Sequence, residues 1–195
     1  MPLIQSSIFC TPSSTKLTTL TNAPIIHQRG ALSTSLFGQE VSQRRINDIG
    51  YSTAFYWTDA VLDTIDTIIP KLKDGNIIVQ ERYDLSITSF REIHGFKDDT
   101  LLLDTFLQRG MLIHPHLTIL AQADCATVSE RIINGTDSSS IDHDFLNHLE
   151  KITAMTESIR GHIVRLHRNH IILDTQKHSI NECINQIITA INKIP

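Results

Sequence analysis

Asn76-Ile77-Ile78-Val79-Gln80-Glu81-Arg82-Tyr83-Asp84-Leu85-Ser86 is a short apolar run that breaks off abruptly into charge. Three β-branched residues, led in by Lys73-Asp74-Gly75, read as a buried strand entered through a tight turn. Glu81 and Arg82 follow where that strand must end. Open α/β sheets bind ligands in the crevice outside the carboxyl ends of their strands. A carboxylate there can hold a metal-bound water or take a proton, and a guanidinium offers a planar fork to phosphate. The competing reading is a solvated ion pair at a strand end.

Working outward, strands and helices alternate. Leu3 to Phe9 predicts a first strand, Leu17 to Gln28 a helix shortened or kinked by Pro24, Ala31 to Leu36 a second strand, and Val41 to Ile49 a helix. From Ser52 to Leu72, Phe55, Val61, Leu62, Ile65, Ile68, Ile69 and Leu72 recur at helical spacing. Beyond the central strand, Asp99 is expected to cap a helix that stops before Gly110. Leu117 to Ala121 predicts a strand, and Asp124 caps a helix reaching Ile133. The polar run Asn134 to Ser140 predicts a loop, followed by one long helix from Asp142 to His167. A last strand, Ile171 to Leu173, ends in Asp174, and a helix carrying Ile180, Ile184, Ile187, Ile188 and Ile191 closes the chain. Alternation of this kind implies parallel strands joined by right-handed crossovers, an α/β fold, here expected as a single domain over residues 1–195.

Composition narrows the function classes. A net charge of -4 and a pI near 6.2 argue against a broad nucleic-acid footprint. Cys10, Cys125 and Cys183 form no CxxC pair, which suits a reduced, cytoplasmic setting. No apolar run approaches the ~20 residues a membrane span needs, and no basic-then-apolar leader is visible. Ten histidines form no dense ligand pattern, and His114-x-His116 and the His143, His148 pair are the nearest approaches. Trp57, Phe55 and Tyr56 read as core residues that could alternatively stack a base.

The order of segments resembles thymidylate kinase, a P-loop nucleoside monophosphate kinase. That family runs a strand into Asp-Arg-Tyr with a Ser three residues later, and Glu81, Arg82, Tyr83 and Ser86 correspond here. Upstream, Thr58-Asp59-Ala60 and Pro70-Lys71-Leu72-Lys73-Asp74-Gly75 match a helix with Ala-Asp-Arg and its Pro-x-Leu-x-x-Gly turn. Downstream, Pro115-His116-Leu117-Thr118, Asp124, Glu130-Arg131-Ile132 and Ile171 to Asp174 follow in the family's order. The resemblance covers Gly50 to the C-terminus. It implies a three-layer sandwich around a mainly parallel sheet, ATP as co-substrate with Mg2+, dTMP as acceptor, and a homodimer. It assigns Glu81, Arg82 and Lys16 to catalysis, with Glu81 near Mg2+. Asp59, Tyr83, Ser86, Thr15, Thr18 and Arg131 become nucleotide or substrate contacts. Residues 134–141 stand at the lid.

The N-terminal part departs from this pattern. Cys10 to Thr18 is the stretch matching the Walker A loop, and Lys16 takes the phosphate lysine's slot. Cys10, Ser13 and Thr15 stand where the family uses glycine, and Leu17 stands where a hydroxyl reaches Mg2+. Amides that turn inward around phosphate use conformations glycine permits cheaply, and a Cβ forced into them costs on the order of 1–3 kcal/mol. Ala60 replaces an arginine, Ser35-Leu36-Phe37-Gly38 replaces Arg-Glu-Pro-Gly, and no arginine lies in residues 134–140. The arginine expected for the monophosphate is therefore missing unless Arg44 or Arg45 reaches in. Three readings therefore remain: a thymidylate kinase with weakened or lost activity, a non-catalytic nucleotide- or partner-binding protein of the same fold, and a deoxynucleoside kinase. The last family has Glu-Arg-Ser after the equivalent strand. Asp59 could orient substrate or sit on a helix surface, Lys16 could be a surface lysine, and Arg131 could pair with Glu130 or Asp124.

Overall fold

A computed structural model describes residues 3–7, 25–28, 49–96, 99–135 and 140–194. Within these, five strands form one sheet: β1 (Leu3–Ser7), β2 (Ile25–Gln28), β3 (Ile77–Glu81), β4 (Leu117–Gln122) and β5 (His170–Asp174). All neighbours are parallel and the order is β2-β3-β1-β4-β5. The chain therefore leaves the central β1 toward one edge and returns to build the other.

The helices are α1 (Ile49–Asp63), α2 (Ile69–Lys73), α3 (Asp84–Glu92), α4 (Asp99–Gln108), α5 (Cys125–Ile133), α6 (Ser140–Asn147), α7 (Glu150–Arg165) and α8 (Ile180–Ile191). Strand alternation sorts their contacts into layers. Ile77, Leu117, Ile119 and Leu173 face Cys183, Ile187 and Ile191 of α8. Ile78 and Leu120 face Trp57, Leu85, Leu103, Ile159 and Ile163 of α1, α3, α4 and α7. The result is helix, sheet and helix in three layers, as the sequence implies.

The helix expected over Ser52–Leu72 is α1 and α2 joined through a π turn, Thr64–Ile68, in which the Ile69 amide donates to the Thr64 carbonyl. Pro70 follows directly on the π turn, at the junction with α2, and donates no amide there. α2 stops at Gly75, whose φ of 84° is the left-handed state glycine adopts freely. The Asn76 amide then reaches back to the Lys71 carbonyl and the Gly75 amide to Leu72, closing the helix and launching β3.

Three expectations are corrected. Residues 25–28 are not the tail of a helix but β2, paired with Ile77–Gln80; Pro24 disfavours helix immediately before it, and Ile25-Ile26 suit an extended strand. The long helix over 142–167 is two, because the chain tightens at His148-Leu149, where Lys151 and Ile152 amides bond only three residues back. That break lets Phe145 and Ile152 pack together on Val128. Helix α3 had no sequence expectation at all. The Asp99 carboxylate is turned to Trp57 Nε1 at 3.2 Å and to Arg91, although α4 does begin there. Expectations for residues 8–24 and 29–48, including the strand at 31–36, lie outside the described residues.

The α6–α7 break is held to the turn after α3 by Asp144, which pairs with Lys151 at 2.9 Å and lies 3.3 Å from Nε2 of His94, whose Nδ1 donates to the Phe90 carbonyl. Burial pushes the Asp144 carboxyl up, but the hydrogen bonds from Lys151 and His94 outweigh it and hold the group below the usual carboxylate range. A depressed folded-state value means stabilisation that is complete above the unfolded value, ~4, and lost as pH falls through the folded one. Asp144→Asn should therefore be less stable than wild type at pH 7. In urea melts across pH, the gap between the two should close below about pH 4.

Candidate functional site

The sheet register decides what lies next to what. Ser6 is level with Glu81 on one side and with Ile119 on the other. Glu81 thus stands beside the carboxyl end of the central strand, where β1 hands the chain to residues 8–24. This is the crevice in which an open α/β sheet binds ligands. Glu81 is half-buried and shares the side-chain parity of Ile77 and Val79.

Arg82 is exposed and has φ 54°. A side chain at positive φ is uncommon, and such strain gathers at functional sites. The left-handed residue ends β3 sharply and lets the next residues dive into the core. Tyr83 is only 1% exposed and sits among Trp57, Ala60 and Ile159. Its hydroxyl lies 2.7 Å from Thr64 Oγ1 and accepts from the Ile113 amide at 3.2 Å. Thr64 donates its own proton to the Ala60 carbonyl at 2.7 Å, so the Tyr83 hydroxyl donates to Thr64. Burial, reinforced by the Asp84 charge, pushes the Tyr83 phenol well above its ordinary value.

Asp84 opens α3 with a fully buried carboxylate. Both of its oxygens meet the guanidinium of Arg168, which precedes β5, one contact being 2.9 Å. Oδ1 also accepts from the Leu85 amide at 2.7 Å. At the other end of α3, Glu92 accepts from Ser158 and Thr100 and pairs with His162 at 2.9 Å. The segment following Glu81-Arg82 is therefore anchored at both ends to α7 and the turn after it.

No protein-family model matches the chain. It is 26% identical over 135 residues to a protein described as a probable thymidylate kinase from Caldivirga maquilingensis. That match takes in 68% of this chain and 60% of the relative, so the chain aligns with less than two thirds of its length. Among solved structures, a deoxyadenosine kinase from M. mycoides, described with dCMP and dCDP bound, superposes with TM-score 0.66 and 11% identity over 98% of this chain and 100% of the other. A thymidylate kinase from Ehrlichia chaffeensis superposes with TM-score 0.62 and 12% identity, covering 98% of each chain. The fold is that of a P-loop kinase. The similarity to thymidylate kinase suggested by Glu81-Arg82-Tyr83 and its flanking motifs is shared by a relative in sequence and by one in architecture.

In this P-loop kinase fold the residues singled out from sequence divide into groups. Glu81 and Arg82 are together at the crevice. Ser86 is half-buried in the first turn of α3, and Asp59 is buried on α1 together with Asp63. Tyr83 is turned away into the core, its hydroxyl committed to Thr64 and Ile113, so the substrate contact expected of it is replaced by a structural one. Arg131 is held on the turn after β5, donating to Thr175 Oγ1 at 2.8 Å and to its carbonyl at 2.9 Å, and not to Glu130 or Asp124. Lys16, Thr15 and Thr18 lie outside the described residues, as do Arg44, Arg45 and residues 136–139 of the lid segment. Trp57 and Phe55 are buried, Trp57 edge-on to Phe106.

Among the described residues no group of three or more His, Cys, Asp or Glu converges as a metal centre. Mg2+ commonly takes one or two carboxylates and completes its shell with water and substrate phosphates. A half-buried carboxylate at the strand end, as Glu81 supplies, fits that mode. The Asp84–Arg168 pair escaped the sequence reading entirely. Its only local signal was a charged residue placed directly after a buried tyrosine.

The Tyr83 geometry makes a direct prediction. Tyr83→Phe should cost about 0.5–1.5 kcal/mol by removing the hydroxyl that bonds the buried Thr64 side chain and the part-buried Ile113 amide. Thermal melts of the two proteins check it.

Proposed function

We propose that the chain is a nucleoside monophosphate kinase that moves the γ-phosphoryl group of ATP onto dTMP, or a related deoxynucleotide, giving ADP and the diphosphate. One observation carries this reading: Glu81 and a left-handed Arg82 stand at the carboxyl end of β3, level with the exit of the central strand. Similarity to a probable thymidylate kinase supports the acceptor. Arg82 binds the acceptor phosphate through its fork, and Lys16, with Thr15 and Thr18, contacts the donor phosphates. Asp59 and Ser86 line the acceptor side. Mg2+, held through Glu81, would supply charge neutralisation on the transferring phosphoryl group. Phosphoryl transfer asks for positioning and electrostatics, which these residue types provide. The reaction takes place in the cytoplasm, with a homodimer as the working assembly.

A second reading, a nucleotide- or partner-binding protein without turnover, is favoured by Cys10, Ser13, Thr15 and Leu17 in the donor loop. A coupled assay with ATP and Mg2+ over dTMP, dUMP, other monophosphates, thymidine and deoxyadenosine separates the readings. Turnover of a monophosphate that disappears in Glu81→Ala supports the kinase. Turnover of a nucleoside alone points to the deoxynucleoside kinase reading. Calorimetric binding of dTMP without ATP binding or turnover would leave the non-catalytic one.

A further inference from the structure

We infer that the buried Asp84–Arg168 pair is a positioning clamp that holds Arg82 in its left-handed conformation and so aims its guanidinium at the acceptor phosphate. The inference rests on the proposed phosphate-binding role of Arg82.

Both side chains are almost wholly out of water, at 0% and 1% exposure. A pair so buried contributes little net stability over apolar residues of the same volume, so burial energy alone does not account for it. What a bidentate pair supplies is direction: two parallel contacts fix both distance and angle between the partners. Here they tie the turn after α7 to the first residue of α3. Asp84 Oδ1 also holds the Leu85 amide, so the carboxylate is fixed to its own helix as well.

Backbone strain lies beside both ends of this link. Among the described residues, the non-glycine residues with positive φ are Arg82 at 54° and His167 at 49°. Arg82 lies two residues before Asp84, and His167 one before Arg168. A strained backbone persists only where its surroundings over-determine it, and the clamp joins the two strained turns directly. Between Arg82 and Asp84, Tyr83 is pinned by Thr64 and Ile113. A displacement at Asp84 has little slack through which to dissipate before it reaches Arg82, and a misplacement of about 1 Å in a reacting constellation can cost on the order of 10²-fold in rate. Asp84 and Arg168 are thus positioning residues that touch no substrate.

The test uses two variants of the full chain. Asp84→Leu with Arg168→Met replaces the pair by apolar side chains, and Arg168→Lys keeps the charge but loses the fork. The readouts are the thermal midpoint, kcat and KM for the monophosphate, and the amide-to-Hα coupling of residue 82 by NMR. The expected result is a folded protein in which residue 82 leaves the left-handed region and kcat/KM falls on the order of 10–100-fold. The Lys variant decides the matter if the apolar pair does not fold. Retention of the left-handed coupling, or of wild-type kcat/KM, in a folded variant overturns the clamp. A wild-type chain that binds and turns over no nucleotide would defeat the kinase reading instead, and the coupling at residue 82 would still decide whether the pair holds that backbone.

Discussion

Arg82→Gly should remove most activity while leaving the protein as stable as wild type or slightly more so. The two effects have separate causes. A left-handed backbone costs an L-residue about 1–2 kcal/mol, and Arg82 holds φ at 54°. Glycine removes that cost but gives back roughly 0.5–1 kcal/mol in unfolded-state entropy, so the net change lies between about zero and 1.5 kcal/mol in favour of the variant. Arg82 is exposed, so little packing is lost with the side chain. On the proposed role of Arg82 as a ligand of the acceptor phosphate, loss of the cationic fork should cost on the order of 10²–10³-fold in kcat/KM. Arg82→Lys should recover part of this, since it keeps the charge without the planar pair of donors. Thermal melts and the coupled assay on all three proteins check the prediction. A variant that is destabilised yet active would make Arg82 a structural terminator of β3 and nothing more.

How much of this was legible follows from where each signal lives along the chain. β3 announced itself because Ile77-Ile78-Val79 is a local pattern bounded by Gly75 and Glu81, and the structure uses each of those boundaries. The α5 cap is equally local: Asp124 accepts from the Thr127 amide at 2.8 Å, as its position before the apolar run implied. α8 was legible from its isoleucine spacing, and the structure adds a Ser179–Glu182 capping box at its start. α3 was not legible because Ser86, Ile87, Thr88, Ser89 and Phe90 carry poor helix propensity. Its helix is held by Leu85 in the core and by the polar contacts of Asp84 and Glu92 to α7 and its turn. β2 was missed because four residues after a proline are too few to show a period. The position of Glu81 and Arg82 at the carboxyl end of β3 could be read from the local pattern alone. Tyr83 was assigned to substrate by motif position, which does not say whether a tyrosine faces a ligand or, as here, the core. Arg168 lies 84 residues from Asp84, and no pattern in one sequence links them.

That long-range pair makes the largest stability prediction. Asp84→Ala should lower stability by about 3–5 kcal/mol, because it leaves the Arg168 guanidinium buried without the carboxylate it faces. At roughly 2–4 °C per kcal/mol for a chain of this size, the midpoint should fall by about 6–20 °C. Truncating a central core residue such as Leu120, which is fully buried between the sheet and its helices, should cost about 2–5 kcal/mol through a different mechanism, the cavity left behind. The two are distinguished by repair. Converting Arg168 to Met in an Asp84→Leu background removes the stranded charge and should restore most of the lost stability, whereas no distant substitution refills the Leu120 cavity. Total stabilities of ~5–15 kcal/mol leave little margin for a 3–5 kcal/mol loss, so Asp84→Ala should also unfold at markedly lower urea. If Asp84→Ala instead costs under about 1 kcal/mol, the guanidinium has reached water by relaxing outward. The turn between α7 and β5 would then be far more yielding than a buried bidentate pair implies.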